Sequence, residues 1–240
     1  MSLVKRLPAN VGGRDFIVGD VHGCTEALHA LLCQVEFDTT VDRLFSVGDL
    51  IDRGPDSGGA LTLLDCAWFH SVRGNHEEML LTVVNEPTAR HWDWWVQNGG
   101  AWARGADATE LRLLADRFDE LPLAIVVGEG AERFNVMHAE FFGGDADLDA
   151  EDFEPHIAMR MLWGRDIINR KAAPRAGTNL STTYVGHTPV QSPVLMHSHH
   201  YIDTGAGHAI EDARLTLIQH GMGTAGSLRT WRAPASSLKW

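Results

Sequence analysis

The feature that most constrains the fold is a regular alternation of short apolar runs with helix-like segments early in the chain. The runs DFIVG, RLFSVG and FHSVRG precede segments with helical periodicity, which are CTEALHALLCQV, SGGALTLLDCA and EEMLLTVV. This alternation is typical of βαβ units, whose strands form a largely parallel sheet. The sequence therefore predicts an α/β protein in which residues 14–89 form a βαβ half.

The rest of the chain changes character. Residues 90–120 have helical patterns and contain four tryptophans, so we expect a helical Trp-rich cap segment or an added helical subdomain, with the indoles used for packing. Residues 121–220 predict a mostly β second half with one helix near residues 151–162, and residues 221–240 an irregular tail. The two halves are expected to pack into a single sandwich domain over residues 1–240.

Composition excludes several functional classes. With 240 residues, of which 44% are hydrophobic, the chain can bury a full core. A net charge of -12, without any basic run among aromatics, argues against a nucleic-acid partner. No apolar stretch approaches the ~20 residues of a membrane span. Three cysteines without C-x-x-C spacing, and no apolar signal segment, predict a reduced, cytoplasmic protein.

Each β-run of the first half ends in residues able to do chemistry. The loops GDVHG, GDLIDRG and RGNHE supply Asp20, His22, Asp49, Asp52, Arg53, Arg73, Asn75 and His76. Loops at the carboxyl ends of strands in an open α/β sheet form its ligand-binding edge, so these side chains are expected to meet there. The second half adds His138 after FNV and His187 after TTYV, in similar positions.

Carboxylates, imidazoles and an amide oxygen are ligands for divalent transition metals, and the lack of thiolates argues against a structural zinc site. The set is too large for one ion, whereas a shared Asp49 would allow two ions ~3.5–4 Å apart, which would hold a hydroxide for in-line attack on phosphorus. Manganese is the metal expected in vitro, with iron or zinc as alternatives. The predicted ligands are Asp20, His22 and Asp49 for one ion, and Asp49, Asn75, His138 and His187 for the other.

The remaining polar residues fit the other tasks of such a site. Arg53 and Arg73 are able to bind phosphate oxygens bidentately. His76 is the predicted general acid, and Asp52 the residue that orients it. A purely structural interpretation also applies to RGNHEE, because Asn75 is a good N-cap and acidic residues suit a helix N-terminus.

The ordered motifs GDVHG, GDLIDRG, RGNHE, HAE, GHTP and IDTGA resemble the signature of the PPP-type serine/threonine protein phosphatases, which are calcineurin-like metallophosphoesterases. The similarity is greatest to the phage lambda-type and bacterial members, and NGGAW, ELPL, LWGRD and LTLIQ extend it to Gln219. The resemblance implies a metallophosphoesterase β-sandwich of mixed sheets flanked by helices and the same ligands. It adds Arg165 as a third phosphate-contacting arginine.

The expected reaction is hydrolysis of phosphoserine or phosphothreonine, with phosphotyrosine also open, in a phosphoprotein or phosphopeptide by metal-bound hydroxide. The sequence offers neither a C-x5-R loop nor G-x-S-x-G as a source of a nucleophile. The main alternative is a dinucleoside polyphosphate (Ap4A-type) hydrolase, because symmetrical tetraphosphatases resemble GDVHGC and GNH. They usually lack an acidic residue at Asp52 and have GNHD. A small-molecule phosphatase also stays open.

Several residues outside the main set carry weaker expectations. Glu140 occupies a position that is glycine in the eukaryotic phosphatases and acidic in the lambda-type branch, so it could support the ligands or lie on the surface. Asp203 is expected to be structural. His199 and His197 are expected on one face of a solvated edge strand, and His70 is expected to pack in the core.

Overall fold

The computed structural model describes residues 3–151, 153–221 and 229–234. In chain order the strands are β1 (Val4–Leu7), β2 (Asp15–Val18), β3 (Arg43–Ser46), β4 (Phe69–Ser71), β5 (Ala124–Val127), β6 (Phe134–Met137), β7 (Thr182–Val185), β8 (Val194–Met196), β9 (His199–Tyr201), β10 (Arg214–Gln219) and β11 (Arg229–Pro234). The α-helices are α1 (Thr25–Gln34), α2 (Ser57–Thr62), α3 (Asn75–Asn85), α4 (Ala89–Gln97), α5 (Ala108–Asp119), α6 (Asp145–Ala150) and α7 (Pro155–Trp163).

The strands form two mixed sheets. The five-stranded sheet has the order β11-β10-β2-β3-β4, in which β2, β3 and β4 are parallel and β10 and β11 are antiparallel additions. The six-stranded sheet has the order β1-β5-β6-β7-β9-β8, with parallel and antiparallel neighbours. This arrangement confirms the predicted sandwich of mixed sheets.

Alternation along the strands explains why the sheets pack face to face. In β2, Phe16 and Val18 belong to a core beneath helices, while Ile17 belongs to the core between the sheets. In β5, Ile125 enters the same central core, and Val126 packs with α6 and α7 on the opposite face. Successive side chains of a strand point to opposite faces, so apolar residues at consecutive positions produce a strand buried on both sides.

The predicted strands and the first three helices are confirmed, but the sheets do not follow the two halves of the chain. β10, predicted in the second half, pairs with β2 of the first half. β1, which the sequence analysis missed, pairs with β5. The acidic run FFGGDADLD contains α6, which was also missed, and the helix predicted near residues 151–162 is α7.

The tail differs from the prediction. Residues 229–234 form β11 instead of irregular structure, because they pair along the whole length of β10 and their Trp231 packs on Phe16 with ring centroids 6.1 Å apart. Residues 222–228 and 235–240 lie outside the described residues. None of the helices described is long and apolar enough to cross a membrane.

Residues 90–120 are helical, as predicted. They contain most of α4, a 3-10 helix over Gly100–Gly105, and α5, and both α-helices pack against α3. The segment therefore lies on the helical face of the five-stranded sheet, beside the helix that follows β4.

Two histidines differ in burial from the expectation. His199 is fully buried, because β9 lies between β7 and β8 and its Nε2 accepts a hydrogen bond from the Phe141 amide at 3.2 Å. The edge strand is β8 instead. His70 is only half-buried and lies 3.4 Å from Lys5 Nζ, so it is not a full core residue.

We expect Trp231→Ala to lower the free energy of unfolding by about 2 kcal/mol, less than for a fully buried tryptophan because the side chain is half-buried. Urea unfolding monitored by circular dichroism measures the change. The exposed neighbour Arg232→Ala provides the control and should leave the midpoint unchanged. Equal midpoints for both variants would mean that β11 does not contribute to the folded core.

Candidate active site

The carboxyl ends of β2, β3, β4, β6 and β7 meet at one edge of the sandwich. The loops after them bring together the six predicted metal ligands, and all six are buried. The carboxylate of Asp49 lies at their centre: its Oδ2 is 3.6 Å from His22 Nε2, and its Oδ1 is 3.5 Å from His138 Nε2.

One group of potential ligands converges on the amide oxygen of Asn75. Asn75 Oδ1 lies 2.8 Å from His138 Nε2 and 2.7 Å from His187 Nδ1. With Asp49, these atoms are the four that the sequence assigned to one ion. An amide oxygen, two imidazole nitrogens and a carboxylate form a donor set suited to a divalent transition metal.

Two further groups of potential ligands share Asp49. Ligand atoms within 4.8 Å of one another occur in the triads His22, Asp49 and His76, and Asp20, Asp49 and His138, each of which could hold a metal ion. These triads combine the predicted residues differently from the sequence analysis, because all of them surround Asp49. The His/Asp group fits the expected metals.

Backbone carbonyls orient two of the imidazoles. His22 Nδ1 lies 2.8 Å from the Ile51 carbonyl, and His138 Nδ1 lies 2.8 Å from the Val47 carbonyl. A ring nitrogen that donates to a carbonyl leaves the other nitrogen unprotonated and directed at the site, which is the usual outer support of a metal-ligating histidine. In both residues this second nitrogen is Nε2, the atom that faces Asp49.

Electrostatics also fit a cationic ligand. Burial, followed by the nearby Asp203 and Asp49 carboxylates, raises the pKa of Asp20 well above its usual value. Burial and the Asp49 charge raise the pKa of Asp203 to about 7, opposed by the Gly205 amide. Burial opposes ionisation of Asp49 as well, but His138, His76 and His22 hold its pKa below the usual range. Carboxylates gathered in a buried site are costly unless a cation balances them.

The pKa values of the histidines are lowered, which favours their neutral forms. Burial, with Arg53 and His76 nearby, holds the pKa of His22 well below its usual value, and burial also lowers the pKa of His138. Burial and the neighbouring His138 lower the pKa of His187 to about 2. Metal binding requires the neutral imidazole, which these surroundings favour.

Several of these residues have left-handed backbone conformations that are unfavourable for residues with a Cβ. The φ angles are 44° at His22, 51° at Asp49, 74° at Asp52, 65° at Arg53 and 66° at His187. Such residues persist only where the surrounding structure fixes them, and they cluster at functional sites.

Glu77 is the main restraint on the loop after β3. Its fully buried carboxylate accepts hydrogen bonds from the amides of Asp49 at 2.9 Å, Leu50 at 2.9 Å and Gly74 at 2.8 Å. The predicted N-cap role of Asn75 is wrong: Gly74 is the N-cap of α3 and Asn75 is its first residue. A Cβ on Gly74 would overlap the carboxylate of Asp49.

His76 and Asp52 form a buried pair beside the ligands. His76 Nδ1 lies 2.6 Å from Asp52 Oδ2, and neither side chain is exposed. The second ring nitrogen, Nε2, has no hydrogen-bond partner among the described residues and lies 3.8 Å from Asp49 Oδ2. The pair therefore has the geometry of an oriented imidazole whose other nitrogen is directed at the ligand cluster.

The three predicted phosphate-binding arginines are in different situations. Arg53 contacts His22 Nε2 and lies 3.2 Å from His208 Nε2. The positive charge of Arg165 contributes, after burial and His138, to the low pKa of His187. Arg73 points elsewhere, with its guanidinium 3.2 Å from Glu78 and 2.8 Å from the Asp119 carbonyl.

A cavity of ≈ 580 Å³ opens beside Arg53. It is lined by residues of the Trp-rich segment, among them Gly99 and Trp102, and by Gly207 and His208 of the loop before β10. His208, which received no role in the sequence analysis, therefore lies between His22 and this cavity. No motif marks it, since only the fold brings residue 208 next to residue 53.

Glu140 is fully buried, which excludes the surface position left open by the sequence. Its Oε2 accepts the Ile167 amide at 2.7 Å, and its Oε1 accepts Arg160 Nη1 at 2.9 Å. The carboxylate thus fixes the turn after α7 that carries Arg165. Asp203 Oδ1 accepts the Gly205 amide at 2.8 Å, while its Oδ2 has no partner among the described residues.

Comparisons with known proteins identify the family of this chain. The family model of the calcineurin-like phosphoesterases matches residues 16–221, and the chain belongs to this family. Serine/threonine-protein phosphatase 1 of Salmonella typhimurium is 33% identical over 225 residues, covering 90% of this chain and 96% of the relative. A symmetrical bis(5'-nucleosyl)-tetraphosphatase of Cellvibrio japonicus is 46% identical over 70 residues, covering 28% of this chain and 26% of the relative.

Solved structures give the same fold. A serine/threonine phosphatase from Saccharomyces cerevisiae superimposes with a TM-score of 0.70 at 17% identity, covering 98% of this chain and 85% of that one. A structure assigned provisionally as a diadenosine tetraphosphatase superimposes with a TM-score of 0.69 at 25% identity, covering 97% and 99%. These findings confirm the resemblance to metallophosphoesterases of the PPP type.

We expect Gly186→Ala to weaken metal binding at least tenfold, because a Cβ at this position would overlap the Asp20 carboxylate. Titration calorimetry with Mn²⁺ on chelator-stripped protein measures the affinity. Gly105→Ala is the matched control, since a Cβ there meets nothing within 4 Å. Unchanged Mn²⁺ affinity in a folded Gly186→Ala protein would contradict the assignment of Asp20 as a ligand.

Proposed function

We propose that the protein is a two-metal phosphomonoesterase that hydrolyses phosphoserine and phosphothreonine in proteins or peptides. The observation that carries the proposal is the buried His76–Asp52 pair, 2.6 Å apart, with His76 Nε2 left unpartnered among the described residues. An imidazole held in this way beside a His/Asp group is suited to protonate a leaving oxygen.

The metal ligands would be those assigned from the sequence, with Asp49 shared. They are Asp20, His22 and Asp49 for one ion, and Asp49, Asn75, His138 and His187 for the other. Divalent ions held there would supply Lewis acidity to the phosphoryl group and to the attacking water. The chain itself contributes neutral imidazoles, oriented by the carbonyls of Ile51 and Val47, and a site shielded from bulk water.

The leaving group distinguishes the two candidate activities. Serine and threonine leave as strongly basic alkoxides, which need a proton as the phosphorus–oxygen bond breaks. A dinucleoside polyphosphate releases a weakly basic phosphate, which needs little assistance. A buried acid with its own carboxylate partner is therefore more useful for an alkyl phosphomonoester than for a phosphoanhydride.

The available positive charge supports the same choice. Arg53 lies at the metal-ligand cluster in contact with His22, and Arg165, the third predicted phosphate ligand, follows α7 on the turn that Glu140 fixes. Arg73 is occupied by Glu78 and the Asp119 carbonyl. Its predicted role as a phosphate ligand would require it to leave those partners. A guanidinium can bind one phosphoryl group bidentately, so Arg53, with Arg165 as predicted, would provide for a phosphomonoester.

The relatives support the proposal without deciding the substrate. The relative named as a serine/threonine-protein phosphatase matches along 90% of the chain, whereas the tetraphosphatase relative cited above matches 28% of it. Hydrolysis of dinucleoside polyphosphates is the second candidate, because a structure provisionally assigned to that activity covers 97% of the chain.

We expect His76→Asn to lower kcat for a phosphothreonine peptide ~10²–10⁴-fold, the usual contribution of a general acid. Steady-state kinetics with Mn²⁺ gives kcat, and titration with Mn²⁺ shows whether metal affinity is retained. Metal affinity should not change, because His76 is assigned no ligand role. Loss of bound metal in this variant would instead identify His76 as a ligand, as one of the two observed triads allows.

We expect the Mn²⁺-reloaded protein to release phosphate from a phosphothreonine peptide with a higher kcat/KM than it cleaves diadenosine tetraphosphate. Stripping the metals with a chelator should abolish both activities, since attack on phosphorus depends on the ions. A preference for the dinucleotide would keep the family and the metal centre but overturn the proposed substrate class.

A further inference from the structure

The carboxylate of Asp52 is held by two tryptophans as well as by His76. Trp95 Nε1 donates to Oδ2 at 2.8 Å, and Trp102 Nε1 donates to Oδ1 at 2.7 Å. Oδ2 therefore accepts hydrogen bonds from Trp95 and His76, and Oδ1 accepts one from Trp102. The Asp52 amide donates to Ser57 Oγ at 2.9 Å. Both carboxylate oxygens of Asp52 are engaged, and the residue has no solvent exposure.

The same segment also holds the backbone next to Asp52. The Arg53 amide donates to the Gly99 carbonyl at 3.3 Å, in a turn where both Asp52 and Arg53 have positive φ. Gly99 itself has a φ of 115°, and a Cβ there would lie 2.6 Å from the Arg53 amide nitrogen. The Trp-rich segment thus contacts this turn at the carboxylate and at the backbone, through two independent sets of bonds.

We propose that Trp95 and Trp102 are positioning residues for the general acid: their indole N–H groups fix the Asp52 carboxylate so that it holds His76 with Nε2 facing the leaving oxygen. The inference rests on the proposed function, because it takes His76 as the acid. It assigns the Trp-rich segment a part in the reaction in addition to the packing role expected from the sequence.

Indole is suited to this task for two physical reasons. It donates one hydrogen bond and accepts none, so it cannot accept the N–H of His76 in place of Asp52, as a hydroxyl or an amide could. It is also neutral, so it orients the carboxylate without introducing a cation that would pair with Asp52 in place of His76. Trp95 is fully buried, and Trp102 is 37% exposed and lines the cavity beside Arg53.

Leaving-group dependence tests the proposal, because a weakened acid matters only when the departing oxygen is basic. We would measure kcat for p-nitrophenyl phosphate, phenyl phosphate and a phosphothreonine peptide with Trp102→Phe and Trp95→Phe in the Mn²⁺-loaded protein. Phenylalanine keeps an aromatic ring and removes the N–H. Trp92→Phe is the matched control, since Trp92 packs against Trp95 at 5.5 Å but makes no described bond to Asp52.

We expect Trp102→Phe to lower kcat about tenfold for phenyl phosphate and the peptide, the size of one lost hydrogen bond to a charged group, and to leave p-nitrophenyl phosphate within about twofold. Trp95→Phe should show the same pattern as Trp102→Phe. Trp92→Phe should leave kcat unchanged for all three substrates. A sulfur-containing isostere of tryptophan without the N–H, β-(3-benzothienyl)alanine, introduced at position 102 should reproduce Trp102→Phe without a change in ring size.

His76→Asn distinguishes the acid role of His76 from the positioning role of the two tryptophans. If it lowers kcat selectively for the basic leaving groups while the tryptophan variants reduce all three substrates equally, or none, the positioning role is wrong and the proposed function stands. If His76→Asn itself shows no dependence on the leaving group, the assignment of His76 as acid fails, and the inference fails with it. Retained activity on p-nitrophenyl phosphate establishes that a tryptophan variant is folded and holds metal.

Discussion

The site depends on one buried carboxylate, that of Asp49. Its Oδ1 accepts the His76 amide at 3.0 Å, and the imidazoles of His22, His76 and His138 lie within 3.8 Å of its two oxygens. Side chains that follow β2, β4 and β6 therefore all contact the carboxylate of Asp49, which itself follows β3. A carboxylate in that position offers two oxygens to the potential ligands gathered around it, and each of the two His/Asp triads contains Asp49.

Burying carboxylates and holding residues at positive φ both cost folding free energy, and other parts of the fold offset this cost. Five residues of the site have positive φ, and five acidic side chains, Asp20, Asp49, Asp52, Glu77 and Asp203, are buried there. Glu77 offsets part of the cost by accepting three amides, although burial and the Asp49 charge raise its own pKa to about 7. Three apolar cores, one between the sheets and one beneath the helices on each outer face, supply the stability that permits this arrangement.

The sequence predicted what is local and could not predict what depends on distant contacts. The apolar runs indicated β2, β3 and β4 and a mostly β second half, and the polar residues after the runs indicated the ligand cluster, because a strand and the loop after it are adjacent in the chain. The indole bonds to Asp52 join residues 43 and 50 positions apart, and the bond from Glu140 to Ile167 spans 27. The strand β11 was missed because its stability comes from pairing with β10 and not from its own polar sequence.

The charge distribution explains how a protein with a net charge of -12 would bind a phosphorylated substrate. Without cations, the buried carboxylates at the strand edge would repel a phosphate, and Arg53 faces the imidazoles of His22 and His208. Two divalent ions would reverse the local sign and give Arg53 an anionic partner in place of these rings. Metal binding and phosphate binding would therefore be coupled, because the buried carboxylates would favour an anion only once cations balance their charge.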